Sequence, residues 1–289
     1  MPEQTIPQPT AKPVNPLAGY FRQPKLYLKL PSNGEFYPDG ILDHSQIDEY
    51  AVYAMTAKDE LIFKSPDALM NGQATVEVIK SCIPSIKDPW LMPSIDLDAV
   101  LIAIRIATYG EEMEVSSICP SCDHSNDYQI NLVHYLDRAS QFQYVKEIPV
   151  GPLVISIRPY NYKEITKTAI RSLEQQKIIS IVNDESLTDE EKIERFGLSF
   201  VKLTELTVDI VTGCITSIQT PTDLVTDQEQ IQEFVNNSPT AVFNGINEHI
   251  TKLKDEIALK AQTVSCQECE TTFDVELTMD QTNFFGVGS

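Results

Sequence analysis

The sequence predicts an α+β protein with a small N-terminal α+β unit and a mostly helical C-terminal region, joined through a split site built from two cysteine knuckles. Three observations carry this. Residues 26–147 mix alternating, strand-like runs with capped amphipathic stretches, whereas the stretch to 261 reads mainly at helical period. Two Cys-x-x-Cys knuckles, Cys119/Cys122 and Cys266/Cys269, each precede an alternating run suited to a hairpin. Between Cys122 and Cys266 lie 143 residues, far more than a compact two-knuckle module contains.

The elements are taken in order. Pro2, Pro7, Pro9, Pro13, Pro16 and Pro24 fill the first 24 residues, a density that disfavours helix and ladder alike, so residues 1–25 are expected as an extended arm. Lys25 to Leu30 alternates as a strand and runs into a turn with Asn33-Gly34 at its tip and Phe36-Tyr37 as an aromatic anchor. A second strand is expected over Tyr50 to Met55, with Tyr50, Val52 and Ala54 on one face. Thr56 with Asp59 and Glu60 opens a helix. Ser65-Pro66 marks another start, interrupted at Asn71-Gly72 and resuming through Val76, Ile79 and Cys82. A third helix begins near Ile95-Asp96 and closes at Tyr109-Gly110 with a left-handed glycine cap. After the first knuckle, Tyr128, Ile130 and Leu132 share one face; after the second, Phe273, Val275 and Leu277 do.

Residues 148–261 form the third segment. Strands flank Gly151-Pro152, a helix starts near Lys163, and Thr188 with Glu191 makes a capping box. Behind it Phe196, Phe200 and Leu203 form an apolar stripe that Ile210, Cys214 and Ile218 extend toward Pro221. Phe243, Ile246, Ile250, Leu253 and Ile257 make a narrow seam on the last helix, suited to packing against preceding helices or to a partner helix. Glu248–Lys252 and Glu256–Lys260 supply i,i+4 pairs on its outer face. Residues 262–289 hold the second knuckle and an aromatic tail, Asn283-Phe284-Phe285-Gly286.

Four thiolates from two knuckles suit one tetrahedral Zn²⁺, so Cys119, Cys122, Cys266 and Cys269 are the expected metal ligands. Such an ion would join both ends of the insertion. Loop closure of that length grows only logarithmically in cost, and structural zinc supplies roughly 10–16 kcal/mol in finger peptides. Separate redox disulfides would need an activating helix N-terminus after each pair, and none is read there. A disulfide framework suits small secreted domains rather than 289 residues without a signal peptide. His124 or His134 could replace one sulfur, but four cysteines already fill the site. Cys82 and Cys214 read as small buried side chains. A site with four protein ligands leaves no open position for substrate, so the metal is expected to be structural.

Composition narrows the function. The net charge is −20, yet the first 30 residues carry Lys12, Arg22, Lys25 and Lys29 against Glu3, a local +3 that leaves −23 for the rest. An acidic body repels phosphate backbones, which argues against a nucleic-acid partner. The basic arm suits docking on another protein, a second copy included. The longest apolar run, Ala99 to Ile104, is far short of a membrane span. Cysteines in metal-type spacing point to a reducing cytosol. No phosphate-binding glycine loop, dinucleotide fingerprint, H-E-x-x-H or G-x-S-x-G is present, and His44, His124, His134 and His249 stand at no helical spacing. No enzyme is expected.

Leu30-Pro31-Ser32-Asn33-Gly34-Glu35-Phe36-Tyr37-Pro38, then Met55-Thr56-Ala57-Lys58-Asp59-Glu60, then the helix from Asp96 ending Arg105-x-x-x-Tyr109-Gly110 before a Cys-x-x-Cys, resemble the T4-type bacteriophage baseplate (hub) protein family over roughly residues 26–280. The resemblance implies a structural component of a contractile-tail baseplate, made in the host cytoplasm and carried in the virion tail. It implies other baseplate and tail proteins as partners and brings no catalytic residues. A transient hub assembly factor, a zinc-ribbon nucleic-acid-associated protein and a metal hydrolase are the competing readings; four sulfurs deny the last its open position.

Overall fold

The computed structural model describes residues 16–64, 71–167, 187–258, 260–275 and 285. Most of the Pro-rich arm, the Ser65-Pro66 helix start, Leu277 and the rest of the aromatic tail lie outside the described residues. The protein is mixed α/β, with small antiparallel sheets and two hydrophobic clusters.

The first cluster gathers around one helix. Strands β1 (Pro24–Lys29) and β2 (Glu49–Tyr53) pair antiparallel with Leu28 opposite Tyr50. Pro24 sits at the first strand position, where its missing N–H breaks no ladder. Ahead of it the arm is not wholly extended: a short 3-10 turn covers Ala18–Tyr20, and Arg22 donates to Ala54 O and Ser81 O. Helix α1 (Ala57–Phe63) starts at Thr56 as expected, and there Thr56 and Asp59 close a reciprocal capping box. Helix α2 (Gln73–Cys82) follows Gly72, whose φ is +77°. A Cβ at Gly72 would stand 3.0 Å from Tyr162 Oη and 3.2 Å from Trp90, so both backbone and space require glycine.

Helix α3 (Ser94–Tyr109) is the hub. Ala99 to Ile104 are all buried, which is what an all-round apolar stretch demands. It ends at Gly110 with φ +99°, a positive-φ cap but with extended ψ. Asp96, in its first turn, is fully buried. Its carboxylate accepts from Ser32 N at 2.8 Å, Ser32 Oγ at 2.6 Å and Tyr37 Oη at 2.8 Å. Asn33, Gly34 and Phe36 all take positive φ to allow this turn. The Leu-Pro-Ser-Asn-Gly run is therefore a clasp on α3.

Strands β3 (Glu112–Ile118) and β4 (Ser125–Asn131) make the first knuckle hairpin, and β4 leads into α4 (Val133–Ala139). Next, β5 (Glu147–Val150) and β6 (Leu153–Ile157) turn through Gly151-Pro152, and the backbone is helical from 162 to 167. Helix α5 (Asp189–Cys214) opens with the expected Thr188–Glu191 capping box. Two corrections arise here. Phe196, read as part of a packed stripe, is 40% exposed. The stripe also stops at Cys214. Ile218 lies on β7 (Ile215–Gln219), which pairs with β6 so that Ile155 faces Ile218, and with β8 (Leu224–Val225). A four-stranded sheet thus replaces the end of an expected helical region. Ile215 and Thr216 are β-branched and fit a pleated surface, and the waiting edge of β6 decides between two readings that a short apolar run leaves open.

Helices α6 (Gln228–Asn237) and α7 (Thr240–Ile257) close the second cluster. The α7 seam faces inward: Ile246, Ile250 and Leu253 are buried among residues of β5, β6, β7 and α6. On its outer face Lys252 pairs with Glu256 at 3.9 Å; among the described residues neither expected pair, Glu248–Lys252 nor Glu256–Lys260, forms, and Lys260 lies beyond the end of α7. Contacts between the clusters are specific. Ser94 N donates to Tyr160 O at 2.6 Å, and Trp90 stacks on Tyr162 with centroids 5.5 Å apart. Tyr135 Oη and Arg138 Nη2, both on α4, donate to Ile257 O and Ala258 O at the end of α7. The chain then forms β9 (Gln262–Ser265) and β10 (Thr272–Val275), and Phe285 returns to stack on Phe63 at 4.5 Å.

Candidate metal centre

Each knuckle is a tight turn between two strands, and the two are built alike. Cys119 N donates to His124 O at 2.9 Å, and Asp123 N to Cys119 O at 3.0 Å. Cys266 N donates to Thr271 O at 2.9 Å, and Glu270 N to Cys266 O at 3.0 Å. Asp123 and Glu270 occupy the same left-handed conformation, with φ of 57° and 59°. Backbone amides also point at sulfur: Ser121 N lies 3.4 Å from Cys119 Sγ, and Glu268 N 3.4 Å from Cys266 Sγ. Folding the turn therefore aims donors at the sulfurs and favours thiolate.

All four Sγ atoms lie within 4.8 Å of one another. Cys119 Sγ is 3.7 Å from Cys269 Sγ, and Cys122 Sγ is 3.6 Å from Cys266 Sγ. A tetrahedron with bonds of about 2.3 Å has edges of about 3.8 Å, so the spacing suits one ion, and it is far too long for sulfur–sulfur bonds of about 2.05 Å. Cys119 and Cys266 are buried, whereas Cys122 and Cys269 stand at the surface. The side-chain and backbone hydrogen bonds of Thr271 hold the Cys269 thiol down at about 6. The backbone amides of Cys269 and Glu268 lower Cys266. At Cys122 a backbone bond near His124 lowers the thiol, but the sulfurs of Cys269, Cys266 and Cys119 together push it up to about 12.

The geometry brings all four expected ligands together across the long insertion. His124 and His134 are exposed and lie outside the sulfur cluster. Cys82 and Cys214 are fully buried elsewhere, and desolvation pushes both thiols up to about 12.

The sequence reading missed the residues that fasten the two knuckles. Asn126 is 1% exposed; its Oδ1 accepts from Gln267 N at 2.8 Å and its Nδ2 donates to His124 O at 2.9 Å. Tyr128 Oη donates to Ser265 O at 3.1 Å, and its ring meets Phe273 edge-on at 6.3 Å. A signal existed. Asn126 stands two residues before Tyr128, on the same face as the apolar alternation, where an amide needs a partner.

Two hairpin knuckles converging on one four-sulfur cluster, in a chain with two hydrophobic cores, define a cysteine-clustered α/β scaffold. Residues 23–286 match the family model described as T4 bacteriophage base plate protein, and the chain belongs to that family. No curated protein and no solved structure matches it. Among the described residues, no helix is long and apolar enough to cross a membrane.

Proposed function

We propose that the protein is a structural subunit of a contractile-tail phage baseplate, at or near the hub, working through protein–protein contacts on a frame closed by one structural Zn²⁺. The observation that carries this is the meeting of Cys119, Cys122, Cys266 and Cys269 within 4.8 Å, in a chain of the baseplate family. Soft thiolates in a four-sulfur set select zinc over hard cations, and a closed shell gives a staple rather than a catalyst. On this reading the arm (1–25), the unit 26–147, the insertion 148–261 and the segment 262–289 act as one rigid body with a basic extension. Partners are other baseplate or tail proteins and a second copy of the chain, with neither nucleic acid nor membrane among them.

Elemental analysis of the purified full-length protein is expected to give one zinc per chain. Cys119→Ser and Cys266→Ser should each bring it close to zero, because both knuckles share the ion. A full zinc retained at one knuckle after the other is mutated would sink the shared site. Mass spectrometry of purified virions addresses the place of action: a structural subunit is present in mature particles, whereas a transient assembly factor is missing. A gel shift at low salt should be blank for a body of charge −20.

A further inference from the structure

Beside the metal centre, β4, α4 and β9 enclose a groove of about 440 Å³. Its walls are strand edges. Cys119 N bonds to His124 O and Leu132 N to Glu111 O, which sets the phase of the first hairpin. Ladder bonds then fall at Asn126, Tyr128 and Ile130, so the backbone groups of Gln129 and Asn131 point away from β3. The bond from Cys266 N to Thr271 O sets the second hairpin likewise, and Thr263 points away from β10. Gln129, Asn131 and Thr263 all line the groove, and among the described residues none of them takes a backbone partner outside its own hairpin.

The charge of the groove is the reverse of the molecule's. Among the described residues His134, Arg138 and Lys260 line it and no carboxylate does, in a chain with 42 acidic and 22 basic residues. Arg138 is held in place over the Tyr135 ring and by Ala258 O, and Lys260 stands exposed. The chain's own arm carries net positive charge and is the wrong sign to enter.

We propose that this groove receives a short, extended, acidic segment of a neighbouring protein, added as a strand along the free edge of β4. The backbone of Gln129 and Asn131 supplies the ladder, and Arg138 and Lys260 read the carboxylates. Pairing with Gln129 and Asn131 spans about three residues of the incoming strand, roughly 10 Å at ~3.3 Å per residue. This goes beyond the structural role above by naming a surface and the chemistry of its partner, and it does not require that the metal be zinc.

The test uses the full-length protein and a fluorescein-labelled peptide of eight residues alternating Glu and Val, beside the same peptide with Lys for Glu. Fluorescence anisotropy is expected to show binding of the Glu peptide that weakens with salt, and none of the Lys peptide. Lys260→Glu with Arg138→Glu should weaken it by roughly tenfold or more. Hydrogen exchange on the unmutated protein gives a second readout, with the amides of Gln129 and Asn131 protected by the peptide. Equal binding of both peptides, no binding of the Glu peptide by about 1 mM, protection elsewhere only, or preference for a twelve-nucleotide single strand would each overturn the proposal.

Discussion

The two knuckles have nearly the same backbone but are held by different forces. The first is the end of a hairpin with seven residues in each strand, rooted in a core: Met113 is buried there, and β4 runs through Leu132 into α4, whose Tyr135 and Ala139 are buried as well. The second has four residues in each strand, and β9 is largely exposed. Its described buried positions are Cys266 and Val275. A lone two-stranded hairpin is marginal in water. The first knuckle is therefore presented by packing, whereas the second relies on the residues that fasten it to the first and, on the proposed reading, on the shared ion. One motif can be preformed at one end of a chain and captured at the other.

The largest effect should come from removing the staple. Stripping the metal with a chelator, or making Cys266→Ser, should cost several of the roughly 10–16 kcal/mol that structural zinc can supply. Hydrogen exchange should then speed up in β9 and β10 by about 100-fold or more, with far less change in β3 and β4. Equal loosening of both hairpins would erase the contrast.

Next is the clasp in the packing-held half. Asp96→Ala leaves Ser32 and Tyr37 donating to nothing in a dry core, and chemical denaturation should register a loss of about 3 kcal/mol. Burial raises the Asp96 carboxyl to about 6, against the hydrogen bonds from Ser32 and Tyr37 that lower it. A carboxyl raised by folding contributes stability that is complete below its unfolded value near 3.8 and is lost as pH rises through 6. Asp96→Asn should flatten the stability profile between about pH 4 and 6. If that window is unchanged, Asp96 does not titrate as described. Burial first, then the neighbouring Asp96 charge, keeps Tyr37 well above its ordinary range, so it remains a donor throughout.

Smaller effects sharpen the coupling between hairpins. Asn126→Ala removes both bonds of a buried amide and should lower stability by about 1–3 kcal/mol, with the second hairpin exchanging faster while zinc is still bound. Tyr128→Phe deletes one hydroxyl bond to Ser265 O and keeps the ring against Phe273, for a loss of roughly 1 kcal/mol or less by thermal unfolding.

What was legible in the sequence was written over a few residues. The Thr56 helix start, the Thr188 box, the Asn33-Gly34 turn, the strands flanking Gly151-Pro152 and the apolar seam of α7 all follow from spacings of two to four, because a cap or a turn closes locally. Residues 215–219 were read wrongly because their strand identity belongs to the partner edge of β6, which lies about sixty residues earlier and leaves no mark in the segment itself.

By itself the sequence determined the pair of Cys-x-x-Cys knuckles and their turns, most helix starts and the acidic body with its basic arm. Only the tertiary structure decided that residues 119 and 269 stand 3.7 Å apart, that Asp96 and Asn126 are interior groups with partners, and that a cationic groove opens between two strand edges. The reason is range. Backbone geometry and capping are set by neighbours along the chain, whereas burial and charge environment depend on which distant segments fold against them.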